Sequence, residues 1–294
     1  MYRSLLTGLL CLLAATGRTA ELAIIIDDIG YNAPVGQAFI QLPHALTLAV
    51  LPFTPHGPPL ARLAQKAGKE VMLHAPMSSL GAPVDHQALH GGMTAARLRQ
   101  QLDAMLQDIP GAQGLNNHMG SQLTQEAVPM AWLMEHLAHH RLYFIDSRTT
   151  PLTVALETAH RYGLPAMKRD VFLDNQRDRH KIRQQLRLAI ELARRQGFAI
   201  AIGHPYPETL AVLGELDDLL ADSGVRLVSV SRLLAQQPSG TAEQPYPQTR
   251  HYCTAPPRLL WRIDPLLAEA QRRAQHQALL KDLFHSSKVT HFVP

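Results

Sequence analysis

Short apolar runs alternate with amphipathic stretches over most of the chain. Between the runs, apolar residues recur at helical spacing, as at Leu98, Leu102 and Met105 and again at Ile182 and Leu186. Strand–helix units that repeat about every 25–35 residues indicate a parallel sheet covered by helices. The runs predicted to be strands are residues 23–27, 46–51, 70–73, 113–116, 142–145, 165–168, 198–202 and 226–230.

The number of these units predicts how the sheet is arranged. We predict an α/β fold, a closed or nearly closed (β/α) barrel of about seven parallel strands. A doubly wound open sheet is the alternative. The barrel is favoured because so many units follow one another without interruption.

The two ends of the chain differ from this repeat. Arg3 followed by the apolar residues 5–16 predicts a secretory signal over residues 1–20, cleaved after Gly17 or after Ala20. An uncleaved membrane anchor is the alternative. Residues 21–235 form the predicted barrel domain. Residues 236–294 begin with a linker rich in Pro and Gln, and we expect a partly disordered tail without a sizeable core of its own.

Composition narrows the class of protein. The chain has 294 residues, of which 46% are hydrophobic and 18% charged, as in globular proteins. The formal net charge is +4, and no Lys/Arg block is interleaved with aromatic residues, so we expect no nucleic-acid partner. Loss of the signal would remove Cys11 and leave only Cys253, so the mature chain would have no internal disulfide. We also expect no membrane span after signal removal.

Polar residues that could take part in catalysis or metal binding stand where predicted strands end. Because the carboxyl ends of barrel strands share one rim, we expect these side chains to converge however far apart they lie in sequence. A strand-to-turn transition with solvated acids is the plainer interpretation of the Asp-Asp pair. The residues are Asp27, Asp28, His74, His118, Asp146 and His204.

Histidine and carboxylate side chains together suit a transition metal. They are typical ligands of Zn²⁺, with Fe, Co or Ni as alternatives. A catalytic site keeps one position open, so we expect three protein ligands, one carboxylate and two histidines. A second carboxylate could then act as a base toward water, and a further histidine could give a proton to a leaving group.

Four segments resemble the divergent polysaccharide deacetylase family, a branch of the carbohydrate esterases built on a distorted (β/α) barrel. The resemblance covers residues 21–235. The segments are Asp-Asp-Ile-Gly from Asp27, Gly-Lys-Glu-Val before His74, Asn-His-Met-Gly-Ser from Asn117, and Gly-His-Pro around His204.

The resemblance implies roles for particular residues. Asp27 matches the catalytic base and Asp28 the metal-binding acid, while His204 matches the general acid. His74 matches the first histidine of a His-x-x-x-His metal motif, but the second position is Ser78. We expect His118, on the next strand, to supply the missing ligand.

The residues that would orient and support these side chains are less directly indicated by the resemblance. The family's Arg-x-Pro motif is absent, so we expect Arg148 or Arg169 to orient Asp27. Asn117, Ser121 and Asp146 are predicted to support the site or to contact substrate.

These expectations lead to a functional hypothesis with alternatives. The chain would be a periplasmic or secreted enzyme that uses a divalent metal, Zn²⁺ above all, to remove N-acetyl (or O-acetyl) groups from an envelope polysaccharide. Alternatively, it would be a non-catalytic envelope protein that binds a glycan through the same rim or a protein partner through its C-terminal tail. A third hypothesis, hydrolysis of another bond such as a phosphodiester, lacks the Gly-rich phosphate loop that would support it.

Overall fold

A computed structural model describes residues 19–236 of the chain. The predicted signal therefore lies almost wholly outside the described residues, and so does the predicted C-terminal tail. Within residues 19–236, no helix is both long and apolar enough to cross a membrane.

All the strand pairings in this range are parallel. The strands are β1 (Ala20–Ile29), β2 (Thr47–Val50), β3 (Glu70–Met77), β4 (Gly114–Met119), β5 (Tyr143–Asp146), β6 (Ala166–Lys168), β7 (Val171–Phe172), β8 (Phe198–Gly203) and β9 (Val225–Leu227). The helices are α1 (Ala33–Gln41), α2 (Gly57–Lys66), α3 (Ala95–Asp108), α4 (Ala127–His139), α5 (Ala155–Arg161), α6 (Arg179–Gln196), α7 (Pro207–Leu213), α8 (Leu216–Leu220) and α9 (Val230–Ala235). A short 3₁₀ helix spans Leu123–Gln125.

The sheet curls until its two edges meet in one chain segment. The main strand order is β6-β5-β4-β3-β2-β1-β8-β7, so β6 and β7 lie at its two edges, while β9 pairs with the start of β1 outside this order. Only Arg169 and Asp170 separate these strands in sequence. The Arg169 N–H donates to the Asp146 carbonyl of β5 (2.9 Å), and the Asp170 N–H donates to the Ile200 carbonyl of β8 (2.9 Å). The segment bridges both edges, which confirms the predicted distorted, nearly closed barrel.

Residues at the strand starts close one end of this barrel. The buried carboxylate of Glu70 accepts hydrogen bonds from the Thr47 hydroxyl (3.1 Å), the Tyr143 hydroxyl (2.8 Å) and the Ser231 N–H of α9 (3.1 Å). Glu70, Thr47 and Tyr143 each begin a strand, so α9 covers the amino-terminal end of the barrel. The opposite end, where the strands finish, is left for chemistry.

Strand alternation separates two apolar cores. Leu22 and Ile24 of β1 belong to the larger core, which includes the buried faces of the helices. Ala23 and Ile25 belong to a smaller cluster with Met72 and inward residues of other strands. Because side chains alternate along a strand, the next inward position on β1 is Asp27.

The strand boundaries correct several sequence-based expectations. His74 and His118 were predicted to follow their strands, but they lie inside β3 and β4, which continue to Met77 and Met119. Polar residues are retained within these strands because they are paired inside the barrel. The last strand stops at Leu227, and the two-residue strand β7 was not predicted.

Further details concern the helices. Residues 207–220 form two helices, α7 and α8, which are interrupted at Gly214. The Thr124 hydroxyl donates to the Gly120 carbonyl, and α4 begins only at Ala127. Val230, placed in the last strand, is instead the first residue of α9.

Candidate metal centre at the carboxyl ends of the strands

A bulge in β1 turns two consecutive aspartates toward the barrel interior. Ile26 faces Leu48 on β2, but Ile29 faces Val50, so β1 carries one extra residue between these pairs. Asp28 lies in this interval with φ of +56°, a left-handed conformation that aspartate tolerates better than most residues. Bulges re-aim side chains, and this one brings Asp28 to the same side as Asp27.

Three ligand atoms from three strands meet at this point. Asp28 Oδ1 lies 3.2 Å from His74 Nε2 and 3.0 Å from His118 Nδ1, and the two nitrogens are 3.2 Å apart. Ligands held by one tetrahedral Zn²⁺ at about 2.0–2.1 Å lie roughly 3.3 Å from one another. The three atoms are therefore spaced almost as one face of such a coordination shell.

Asn116 fixes which nitrogen of His74 faces the cluster. Its Nδ2 donates to Asp27 Oδ1 (2.8 Å) and to the Ser147 hydroxyl (3.2 Å), because an ionised carboxylate can only accept. Its Oδ1 is then left to accept from His74 Nδ1 (2.8 Å). With the proton on Nδ1, His74 presents the lone pair of Nε2 to Asp28.

This arrangement leaves Asp28 Oδ1 in need of a cation. The atom is buried and receives no hydrogen bond of acceptable geometry, although two imidazole nitrogens stand close to it. Burial would raise the pKa of Asp28, but His118 and His74 outweigh it and hold the pKa well below the usual range. Without a metal, His118 Nδ1 and His74 Nε2 can hydrogen-bond to each other (3.2 Å). One carboxylate oxygen and two imidazole nitrogens at this spacing are a donor set that fits a Zn²⁺-type ion.

Asp27 stands beside the ligand cluster with one oxygen unused. Asn116 holds Oδ1, while Oδ2 lies 3.7 Å from His74 Nε2. Burial raises the pKa of Asp27 above its ordinary value, against the lowering effect of His74. The hydrogen bond that orients Asp27 thus comes from Asn116. The sequence had suggested Arg148 or Arg169 for this role.

His204, at the end of β8, approaches the cluster with its Nε2. Its Nδ1 donates to Asp174 Oδ1 (2.8 Å), and Asp174 Oδ2 also accepts from the His204 N–H and the Thr209 hydroxyl. Nε2 lies 3.9 Å from Asp28 Oδ2. Burial lowers the pKa of His204, but Asp174, together with the nearby charges of Asp27 and Asp28, outweighs this effect, so the pKa is raised.

The arginines predicted to support the site both line the cleft above it. The cleft has a volume of about 410 Å³ and is also lined by Asp27, Asp28 and the three site histidines. Arg169 donates to the Ser147 and Arg148 carbonyls, so it holds the loop after β5. Arg148 has φ of +52°, so it is a further left-handed position at this rim, beside Asp28 and Met119.

The three polar residues predicted around the site make hydrogen bonds to the loops that surround it. Asn117 lines the cleft; its Oδ1 accepts from the Ser147 N–H and its Nδ2 donates to the Met119 carbonyl. Asp146 is fully buried and accepts from the Arg148 N–H and the Thr153 hydroxyl. Ser121 accepts from the Leu80 N–H, so it joins two loops and is not among the residues that line the cleft.

Sequence reasoning missed Asn116, Ser147 and Asp174. Asn116 carried a signal, since it lies two residues before His118 on a predicted strand and so shares its face. Asp174 carried no such signal, because its contact with His204 depends on the path of the segment between β7 and α6.

The fold and the donor set define the class: a parallel (β/α) barrel with a histidine–carboxylate cluster where its strands end. The chain belongs to the divergent polysaccharide deacetylase family, whose sequence model matches residues 24–234. This confirms the resemblance stated above.

Two curated proteins and one solved structure are similar to this chain. The chain is 38% identical over 226 residues to "Uncharacterized protein YibQ" of Escherichia coli K12, covering 76% of this chain and 70% of that protein. It is 36% identical over 195 residues to an "Uncharacterized protein" of Haemophilus influenzae, covering 66% and 70%. The crystal structure of uncharacterized protein ATU2773 from Agrobacterium tumefaciens C58 is similar at a TM-score of 0.71, with 23% identity over 74% of this chain and 91% of that one, which shows a shared fold.

Proposed function

We propose that this protein is a metal-dependent hydrolase that removes acetyl groups from an N-acetylated (or O-acetylated) envelope polysaccharide. The observation that supports this most directly is the spacing of Asp28, His74 and His118, within 3.0–3.2 Å of one another at the open end of the barrel. A bound Zn²⁺ would polarise the acetyl carbonyl and make a nearby water more acidic.

The remaining site residues would move the protons of amide hydrolysis. Asp27 accepts a proton from the attacking water at Oδ2, the oxygen that Asn116 leaves free. The water oxygen bonds to the acetyl carbon, and the carbon–nitrogen bond breaks. His204 donates a proton from Nε2 to the leaving amine, so the products are acetate and a free amino sugar.

Family membership supports a polysaccharide as the substrate. The cleft is open to solvent and lies at the rim of the barrel, where an internal residue of a long polymer could reach the acetyl-binding position. The predicted secretory signal supports action in the periplasm or outside the cell. The open cleft and the predicted signal are both compatible with a protein that acts on cell-envelope glycans.

The first experiment measures metal content and acetate release on the untagged protein. We expect about one equivalent of zinc at the rim after loading and dialysis, counted as the equivalent lost in Asp28→Asn, and acetate release from N-acetylated glycan oligomers or isolated peptidoglycan. Asp28→Asn, a residue type that tolerates the left-handed backbone, should lose rim zinc and activity together. Asp27→Asn should keep zinc and lose activity.

Two outcomes would contradict the proposal. If wild-type protein bound no transition metal at the rim even after zinc was offered, the hydrolase assignment would be wrong. If zinc were bound but no acetylated glycan released acetate, while glycans still bound in the cleft, the non-catalytic binding function would replace it. Loss of rim zinc in Asp27→Asn as complete as in Asp28→Asn would refute the division of roles between the two aspartates.

A further inference from the structure

A second histidine–carboxylate cluster lies on the outer helices, away from the cleft. His136 Nε2 lies 2.6 Å and His140 Nε2 3.4 Å from the same oxygen, Asp103 Oδ1. The ligand atoms of all three residues are within 4.8 Å of one another. Asp103 belongs to α3, while His136 lies in the last turn of α4 and His140 is its C-cap residue.

We propose that Asp103, His136 and His140 form a second divalent transition-metal site, of zinc type, that joins α3 to α4. The donor set, two imidazoles and one carboxylate, is the same as at the barrel rim. Residues four apart on a helix lie on one face, which explains why both histidines reach one carboxylate oxygen. The end of a helix also carries partial negative charge, which favours a cation there.

The two distances to Asp103 require only a small adjustment for metal binding. Ligands of a tetrahedral zinc ion are roughly 3.3 Å apart, so the distance from His140 to Asp103 already fits. The distance from His136 to Asp103 must open by about 0.7 Å, starting from 2.6 Å. The Asp103 side chain is 44% exposed and can move by this amount, whereas the His136 side chain is only 12% exposed and is more confined by its neighbours.

The site differs from the rim in what surrounds it. Asp103 and His140 are both nearly half exposed, at 44% and 45%, so a bound ion would be reached directly from solvent. The three residues come from two helices on the outside of the barrel. The site would therefore stabilise the packing of α3 against α4 rather than act on the substrate of the cleft.

The test uses the full chain without an affinity tag and counts zinc equivalents. In an Asp28→Asn/His118→Ala background, which removes two of the three rim donors, we expect one equivalent of zinc by competition with a chromophoric chelator. Adding zinc should also raise the thermal midpoint of this background protein. Adding His140→Ala should abolish both effects, because one of three ligands is lost.

His139→Ala is the matched control. His139 is exposed on the same helix and outside the cluster, so the same substitution there should leave both the zinc equivalent and the thermal shift unchanged. Magnesium chloride should produce neither effect. The proposal is overturned if the background protein binds no zinc, or if His139→Ala lowers zinc binding as much as His140→Ala. Neither outcome bears on zinc at the rim, which is measured in chains that retain the rim donors.

Discussion

Asn116 donates a hydrogen bond of 2.8 Å to Asp27, although 89 residues separate them in the sequence. The oxygen of the same amide accepts a hydrogen bond from His74, so one buried side chain orients both the carboxylate of Asp27 and the imidazole of His74. Asn116 is completely buried. The relationship makes Asn116 a positioning residue of the candidate centre.

Asn116→Ala should weaken zinc binding at the rim without removing a ligand. Loss of partners that orient metal ligands typically lowers metal affinity about 10–100-fold. Because Asp27 and His74 would be left partly unsatisfied, the free energy of unfolding should also fall by about 1–3 kcal/mol. The measurements are a zinc competition titration and urea denaturation of the metal-free protein.

Asn32→Ala is the control for this prediction. Asn32 caps α1 by accepting from the Val35 N–H, so its loss should cost about 1 kcal/mol of stability. Zinc affinity at the rim should be unchanged. Equal zinc affinity in Asn116→Ala and wild type would show that Asn116 does not position the centre.

Asp174→Asn should reduce turnover more than substrate binding. Asp174 holds the His204 imidazole at Nδ1, and an amide there can present a donor where an acceptor is needed. General acid catalysis contributes about 10²–10⁴-fold, so we expect kcat to fall toward this range with little change in KM. Acetate release from an N-acetylated oligomer measures both constants.

Asp170→Asn makes the same substitution in the same part of the chain. Asp170 accepts from the Ile200 N–H and does not touch His204. Its kcat should stay close to wild type, apart from any loss of folded protein. A similar fall in kcat for both variants would mean that Asp174 acts only through general stability.

Ser78→Ala should leave zinc binding intact, whereas His118→Ala should abolish it at the rim. Ser78 occupies the position of the second motif histidine implied by the resemblance, but its hydroxyl is buried without a hydrogen-bond partner. Removing this hydroxyl should change the free energy of unfolding by less than about 1 kcal/mol. Zinc stoichiometry at the rim, measured in both variants, decides whether His118 replaces the missing ligand.

Glu70→Ala should destabilise the barrel without affecting the rim. The substitution leaves the Tyr143 hydroxyl and the Ser231 N–H without their acceptor at the closed end of the barrel. We expect a loss of at least about 2 kcal/mol in the free energy of unfolding. Denaturant unfolding measures this loss, and zinc stoichiometry below the unfolding transition should not change.

Glu215→Ala provides the comparison for Glu70. Glu215 makes a surface ion pair with Arg183 and is 47% exposed, so its removal should cost less than about 1 kcal/mol. If Glu70→Ala were no more destabilising than Glu215→Ala, the carboxylate of Glu70 would not hold α9 against the strand starts.

Much of the fold followed from local patterns. Short apolar runs such as residues 198–202 fall within strands, and the spacing of Ile182 and Leu186 marks the buried face of α6. These signals are readable because burial on one face repeats with the period of the element. The continuation of β3 and β4 through His74 and His118 was not readable, because polar residues usually end such runs.

The candidate site was predictable in part. Strand ends indicated Asp27, Asp28, His74, His118 and His204, and the structure brings all five to one cleft. The hydrogen bond from Asn116 to Asp27 was not predictable, because it depends on the alignment of β4 with β1 across the barrel. Nothing near Asp27 in the sequence carries that information.

The sequence by itself determined the strand–helix order, the family and the residue types available for chemistry. The tertiary structure decided how those residues combine: the bulge that turns Asp28 inward, the approach of His118 to Asp28, and the contacts of Asn116 and Asp174. The physical reason is that secondary structure depends on local periodicity. A ligand set depends on distances of about 3 Å between strands, which only register, twist and closure of the barrel determine.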